Sequence, residues 1–512
     1  MPHPNSTKFI DLPNDILAEC LMSLDAQDLV KCIRICSRIR TLIDADIRLR
    51  YMIELYANNM VHNPRFERPE SLHSRLKRLA EYQRCIRSPR LEKIDSFTQA
   101  MVSPPNEDGR GVAGGIQGIV IAWTIFGSLV RFTQTPSRNL GIQSSRYDLR
   151  LVDASIVQLA FDPAQDLVVV LETTIVHNLT CPRVSVRSLL TGEKHPMAAK
   201  LVCWLGDSDI PLDELFLAVC GDHVALTIGL LGDRVTNVIV FNWKTSNMIQ
   251  NIERGCILQG YEWLSEQYLL LVETHSNPTA LALTIVDVLN PDHPVICILN
   301  LPRMLETAFE FDTSVQIITH PSSQGILSQR DVPFLPDPEN KLVLVSFYAH
   351  IFGGFFVSVL ASDLLKIARQ NTRKGSTSVV AWDDWGPTHT RVIQAKRGGC
   401  YISVYGTRAL VQDAYDDGML ALYDFNQKLI RRDLANQAIG PDEITMMEPT
   451  VVKNEKALLD EVKSCLPFRI AHFARPKGMH PARTCELSID SLILDSMHGI
   501  GTGNDNIDIY SF

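Results

Sequence analysis

Three sets of residues in this 512-residue sequence have types and spacings that invite a chemical reading. Gly109-Arg110-Gly111-Val112-Ala113-Gly114 satisfies G-x-G-x-x-G, the pattern that cradles a dinucleotide pyrophosphate. That chemistry needs a strand before the glycines and a helix after them, so that phosphate meets a helix N-terminus. Pro104-Pro105-Asn106 precedes instead and the β-like Ile119-Val120-Ile121-Ala122-Trp123 follows, so the glycines read as linker. Trp382-Asp383-Asp384-Trp385 sets two carboxylates between two indoles, a combination suited to general acid–base work. Adjacent side chains of extended backbone point apart, and the segment reads as an exposed loop rim that belongs to a binding surface. Asp413 and Asp416-Asp417 read as turn residues on the same grounds. Histidines and cysteines form the third set. The histidines are scattered, with no HxxxH or HExxH pair to hold zinc, and no CxxC pair occurs among the 12 cysteines. With no nucleophile elbow or Walker-type loop either, the expectation is a chain that is no enzyme, with no catalytic residues, no metal and no cofactor.

Composition narrows the class further. Hydrophobic residues at 46% and charged residues at 21% are the balance of a folded globular protein, and the length exceeds one ordinary domain. The net charge of -9 is unevenly spread. Residues 1–95 hold 16 Lys+Arg against 13 Asp+Glu, and the remainder holds 33 against 45, a difference of -12. An acidic domain repels a phosphate backbone, so nucleic acid is not an expected partner. Cys220, Cys256, Cys297 and Cys465 lie in or beside apolar runs, and free buried thiols suit a reducing compartment. Met1–Lys8 has no apolar leader segment. Cytoplasm or nucleus is the expected location. Leu342–Ser362 carries no formal charge and rivals a membrane span in length, but Gly353-Gly354 in its middle and its Val, Phe and Tyr content read as two buried strands around a turn.

The elements that organise these residues fall into two kinds. Over residues 9–44 the periodicity is helical. Leu12-Pro13 marks a helix start, where proline's missing N–H costs nothing. Ile16, Leu17, Cys20, Leu21 and Leu24 recur at one-turn spacing. Asp25 reads as the N-cap of a second helix with Asp28 in its first turn. Leu29, Val30, Ile33 and Cys36 continue the apolar face, and Ile39, Leu42 and Ile43 lie on a third short helix. Three short helices bury too little surface to stand comfortably alone, so part of this stripe must be covered by another domain or protein. Residues 47–95 continue with helical periodicity at Ile47–Leu55 and Leu72–Ala80, and a basic run at Arg75–Arg78 reads as a solvated face.

Leu12-Pro13-Asn14-Asp15-Ile16-Leu17, Leu24-Asp25-Ala26-Gln27-Asp28-Leu29-Val30 and Ile35-Cys36-Ser37-Arg38-Ile39-Arg40, in that order, resemble the F-box motif. Ile39 stands where that motif commonly has an aromatic residue. The resemblance implies docking of a Skp-type adaptor through Leu12, Pro13, Ile16, Leu17, Cys20, Leu21, Leu29, Ile35 and Ile39, and a cullin ubiquitin ligase beyond it. Ile47–Leu55, Arg75–Leu79, Phe161–Val169, Leu190–Pro196 and Asp495–Gly501 are similar to segments of F-box proteins of mushroom-forming fungi.

From Ser103-Pro104-Pro105-Asn106-Glu107-Asp108-Gly109, a breaker cluster, the pattern turns to strands. Val184–Gly192, Val238–Ser246 and Leu283–Pro291 each read as a strand ending in a polar turn, and each follows another apolar strand: Leu167–Glu172, His223–Ile228 and Tyr268–Glu273. Their spacing of about 45 to 55 residues is that of four-stranded propeller blades. Further strands are expected at Gly127–Thr133, Phe355–Leu360, Tyr401–Tyr405, Met419–Phe425, Leu487–Leu494 and Ile507–Tyr510. Six to eight blades would fill the length, and a pair of β-sandwiches stays as the alternative. The expected fold is thus α+β and multidomain: a three-helix F-box (9–46), a helical linker or stalk (47–100), and an all-β domain (110–512) of divergent β-propeller type. The expected function is that of the substrate-recruiting subunit of a Skp–cullin–F-box ubiquitin ligase, holding an unknown protein client on the β-domain. An enzyme or a scaffold with its site on the propeller channel, and the helices as a stalk, is the alternative.

Overall fold

The computed structural model describes residues 9–100, 114–117, 120–126, 129–151, 155–176, 179–204, 216–229, 236–276, 279–305, 313–319, 332–349, 353–373, 375–395, 400–413, 418–436, 443–454, 457–476, 484–495 and 504–512. Five helices open the chain: α1 (Asn14–Met22), α2 (Ala26–Cys32), α3 (Ser37–Ala45), α4 (Ile47–Ala57) and α5 (Leu72–Arg87). After them come sheets of four antiparallel strands, as alternating apolar and polar residues between tight turns require; two of them gain a fifth strand, Ser378–Val380 in parallel on one and Glu443–Met446 on the other. Six sheets use consecutive stretches of chain: 114–150, 155–204, 217–254, 257–300, 313–394 and 400–474. The first strands lie side by side from the 114–150 sheet through to the 313–394 sheet, and that of the 400–474 sheet lies beside Thr484–Leu487, which makes them the inner strands of propeller blades.

The ring closes through a further sheet that joins both ends of the β-region. Thr484–Leu487, Ser491–Asp495 and Asn504–Ser511 pair in order, and Glu92–Ala100 adds the outer strand along Asn504–Ser511. The expected helical linker over 47–100 is therefore corrected: helix ends at Arg87, and Met60–His62 and Glu92–Ala100 are strands. The reason is pairing. Glu92-Lys93-Ile94-Asp95-Ser96-Phe97 is too polar to announce itself locally, and its hydrogen-bonding partner lies some four hundred residues away in sequence.

The paired apolar runs behave as expected. Leu342–Ala349 and Gly353–Leu360 form the antiparallel pair that replaces a membrane span, and no described helix is long and apolar enough to cross a membrane. Gly354 is required there, because a Cβ would run into the Phe347 carbonyl. Leu487–Leu494 is a hairpin with its turn at residues 488–490, not one strand. Trp382–His389 is a helix, which corrects the expected loop rim: Trp385 is buried with Nε1 donating to the Asn300 carbonyl at 2.9 Å, and Trp382 meets it edge-on at 5.5 Å. Asp383 and Asp384 sit exposed in the first turn, where the helix dipole favours acids. The stretch from Gly109 through Ala113 and the pair Asp416-Asp417 lie outside the described residues.

Candidate functional site

The first helical module is fixed by caps and one arginine. Pro13 occupies the N-cap position of α1, and its carbonyl accepts from the Leu17 amide at 3.0 Å. Asp25 caps α2 by accepting from the Asp28 amide at 2.7 Å. Arg38 on α3 holds the chain start, donating to the carbonyls of Ile10 and Leu12 (2.7 Å to the latter) and to Asn14 Oδ1 at 3.0 Å. Arg48 at the head of α4 reaches Glu19 on α1 at 2.6 Å and Asp46 at 2.8 Å, holding the Asp46 carboxyl below its ordinary range.

The nine residues expected to dock an adaptor divide into two sets. Leu21, Leu29 and Ile39 join Ile43 and Leu49 in a core of the module's own, and Leu17 is also fully buried. Leu17 and Leu29 have no accessible surface, so both hold the module together and offer no contact area. Ile16 and Ile35, by contrast, are 49% and 66% exposed, Cys20 and Pro13 are exposed, and Leu12 is half-buried. Leu21 and Ile39 form the floor of an open apolar groove of about 510 Å³ whose walls are Phe9, Ile10, Cys20, Leu24, Cys32 and Ile35. Phe9, Ile10 and Cys32 were not singled out from sequence. An aromatic residue three places before Leu12-Pro13 was the available signal.

Helices α4 and α5 are packed into the propeller. Leu55, Leu79, Tyr82 and Ile86 share one core with Phe132, Leu140, Tyr405 and Ile489 of the blades. Polar contacts reinforce it. Arg408 donates to the Tyr82 hydroxyl at 2.9 Å and to the Ile489 carbonyl at 2.7 Å. Asn63 donates to the Val332 carbonyl at 2.7 Å, Asn426 to the Ala57 carbonyl at 2.9 Å, and Arg432 pairs with Glu54 at 2.8 Å. Asp433 takes Arg87 from α5 and Arg469 from a blade, the latter at 2.7 Å. The stalk is thus a wedge seated on one face of the ring.

On that same face, charged groups gather where inner strands end. Burial pushes the Glu262 carboxyl up to about 7, partly opposed by the nearby Lys341 ammonium. Lys341 is itself buried and donates to the Trp263 carbonyl at 2.7 Å. Burial pushes the Cys220 and Cys256 thiols up to about 12. A thiol nucleophile needs its thiolate stabilised, the opposite of this arrangement.

Three helices with an outward apolar groove, joined through α4 and α5 to a closed ring of blades, define a two-part protein: a small helical module and a β-propeller. The F-box domain family matches residues 9–51, so the chain carries an F-box domain followed by a propeller, the make-up of a substrate-recognising F-box protein. No curated protein sequence matches the chain. Among solved structures it is similar to BamB from Moraxella catarrhalis, at 9% identity over 83% of this chain and 100% of that one, with a TM-score of 0.35. Similar too are Kuenenia stuttgartiensis hydrazine synthase (9%, 78% and 94%, 0.39) and Kluyveromyces lactis Hsv2 (10%, 75% and 89%, 0.38). The blade arrangement rests on the strand pairings, not on these likenesses.

Proposed function

We propose that the chain is the substrate-recruiting subunit of a Skp–cullin–F-box ubiquitin ligase, acting in the cytoplasm or nucleus. The F-box, 9–46 with the start of α4, docks a Skp-type adaptor, through it a cullin, and the propeller holds a protein client. The observation that carries this reading is the F-box match combined with the groove: the module satisfies its own core with Leu21, Leu29, Ile39, Ile43 and Leu49, yet leaves Phe9, Ile16 and Ile35 facing outward. Phe9 and Ile35 line the groove and Ile16 lies exposed outside it; large exposed apolar side chains grouped in this way are what a second protein covers. Among the nine candidates, Ile16, Cys20 and Ile35 with Leu12 and Pro13 make the contact, Leu21 and Ile39 form its floor, and Leu17 and Leu29 shape it from within.

The chain's part in the reaction is proximity. A client held on a rigid body converts a bimolecular encounter with a ubiquitin-charged enzyme into a local one. A catalytic reading of the channel mouth gains no support from Cys220, whose thiol is disfavoured as a thiolate. The test uses the full chain with Ile16→Asp and Ile35→Asp together, mixed with a purified Skp-type adaptor. Loss of co-purification with an unchanged melting curve supports the assignment. Full retention of the adaptor by a folded double variant overturns it.

A further inference from the structure

The helical wedge does not cover the whole of its propeller face. The core it shares with the ring takes in the blades at 114–150, 155–204 and 400–474 and the closing sheet, and its polar contacts reach the 332–337 segment. The turns of the blades at 155–204, 217–254 and 257–300 remain open beside it. Two hollows of about 520 and 500 Å³ lie there and meet at Arg65, Ala164 and Gln165, making one trough. Asn63, Pro64 and Arg65, from the arm that connects α4 to α5, form one wall, and propeller turns form the other. Arg65 anchors the arm by donating to the Ala164 carbonyl at 3.1 Å.

The two ends differ in chemistry. At the outer end Leu190 and Met197 are 65% and 60% exposed beside Trp243. At the inner end Asp162, Asp222, Glu266 and Glu339 gather around the channel mouth with Lys341. Over the whole trough five carboxylates, with Asp166 included, face three cations: Arg65, Lys244 and Lys341. Most are internally committed. Asp222 pairs with Lys244 at 2.5 Å, Glu339 with Arg369 at 2.5 Å, and Asp166 accepts from Ser188 and the Leu190 amide. Glu266 is exposed, and its carboxylate has no partner among the described residues. It lies over Gly221, where φ is +55° and a Cβ would collide with that carboxylate.

We infer that this trough is the client site of the proposed ligase subunit, and that it takes an extended peptide segment with an apolar side chain for the Leu190–Met197 end and a lysine or arginine for Glu266. This rests on the proposed recruiting role and adds where and by what chemistry the client is held. The choice of occupant follows from the charge excess and the unpaired carboxylate at one end and the exposed aliphatic pair at the other. Because the arm between α4 and α5 supplies a wall, a segment bound here touches both halves of the chain and is held on the side of the ring that bears the F-box.

The probe is an array of nonamer peptides with Lys or Arg fixed at one position and Leu, Ile, Met or Phe scanned through the others. A matched array carries Glu in place of the basic residue. Purified full-length chain is expected to prefer the basic array, with Glu266→Lys cutting that preference at least about tenfold and Leu190→Asp with Met197→Asp removing the apolar preference. These residues are on the surface, so folding is checked by melting, and adaptor capture is expected to be unchanged. Equal binding to both arrays, or wild-type selectivity in both variants, overturns the site. If peptides bind selectively while the adaptor is never captured, the trough stands and the ligase role falls; the reverse outcome removes only the trough.

Discussion

Leu29 and Ile35 lie six residues apart in the F-box, and replacing each by alanine separates what the fold needs from what the partner needs. Leu29 is completely buried among Leu21, Ile39, Ile43 and Leu49, so Leu29→Ala opens a cavity in a small core. Such truncations cost about 2–5 kcal/mol. Ile35 is 66% exposed at the groove wall. Burying a large aliphatic side chain fully stabilises by roughly 1.5–3 kcal/mol, and covering about two thirds of one gives about 1–2 kcal/mol. Ile35→Ala should therefore leave the melting temperature essentially unchanged and weaken adaptor binding by about 5- to 30-fold. Leu29→Ala should lower the melting temperature and, when assayed well below it, keep adaptor affinity within about threefold. Thermal melts and titration of the purified full chain with a Skp-type adaptor read both quantities. Wild-type affinity in Ile35→Ala, or an unshifted melt in Leu29→Ala, would refute the division between groove wall and core.

Two further outcomes follow from the packing. Tyr82→Phe removes the hydroxyl that accepts from Arg408 inside the shared core, and a buried hydrogen bond to a charged group contributes about 1.5–3 kcal/mol; denaturation followed by helix and blade probes should shift together, and a shift in the helical signal alone would contradict a common core. Glu262, pushed up to about 7 by burial, binds a proton in the folded chain between its ordinary 4.5 and that value while the unfolded chain does not. Its contribution is fully present below about pH 4.5 and is lost as pH rises through 7; Glu262→Gln should flatten that part of a urea-midpoint profile taken from pH 5 to 7.5, and an identical slope in the variant would contradict it.

How far the sequence discloses this molecule depends on where each element finds its partners. Asp25 caps α2 through the nearby Asp28 amide and Pro13 fixes the start of α1, so both helices can be read from a dozen residues. Leu167–Val176, His223–Gly229 and Tyr268–Ser276 are legible for a similar reason: each pairs with the next strand along. Glu92–Ala100 is illegible because the residues that make it a strand are at the far end of the chain. Trp382–Trp385 is misread because its helix depends on the seat Trp385 finds at Asn300 and the core around it. In the docking stripe, periodicity finds the apolar residues but cannot rank them, since a stripe over 100° wide has both a centre and two edges. Leu17 and Leu29 lie inward and Ile16 and Ile35 outward, a difference set by how the helices cross.

The closing strand also settles what kind of connection the two halves have. Only a few residues separate Arg87, where α5 ends, from Glu92, where the outer strand of the closing sheet begins. The helix that carries Leu79 and Tyr82 into the shared core therefore runs straight into the strand that completes the ring. Neither half can turn against the other without breaking the register of Glu92–Ala100 on Asn504–Ser511 or leaving Tyr82 and Leu79 exposed. In the proposed recruiting role a flexible tether would spread a client over many positions and dilute its local concentration; a wedge clasped into the ring fixes one distance. The same contacts impose an order on folding. Pairing across the length of the β-region is slow, because loop closure precedes any reward. The outer strand has nothing to bind until Asn504–Ser511 has been made, so the fixed orientation of the F-box is a property of the finished ring.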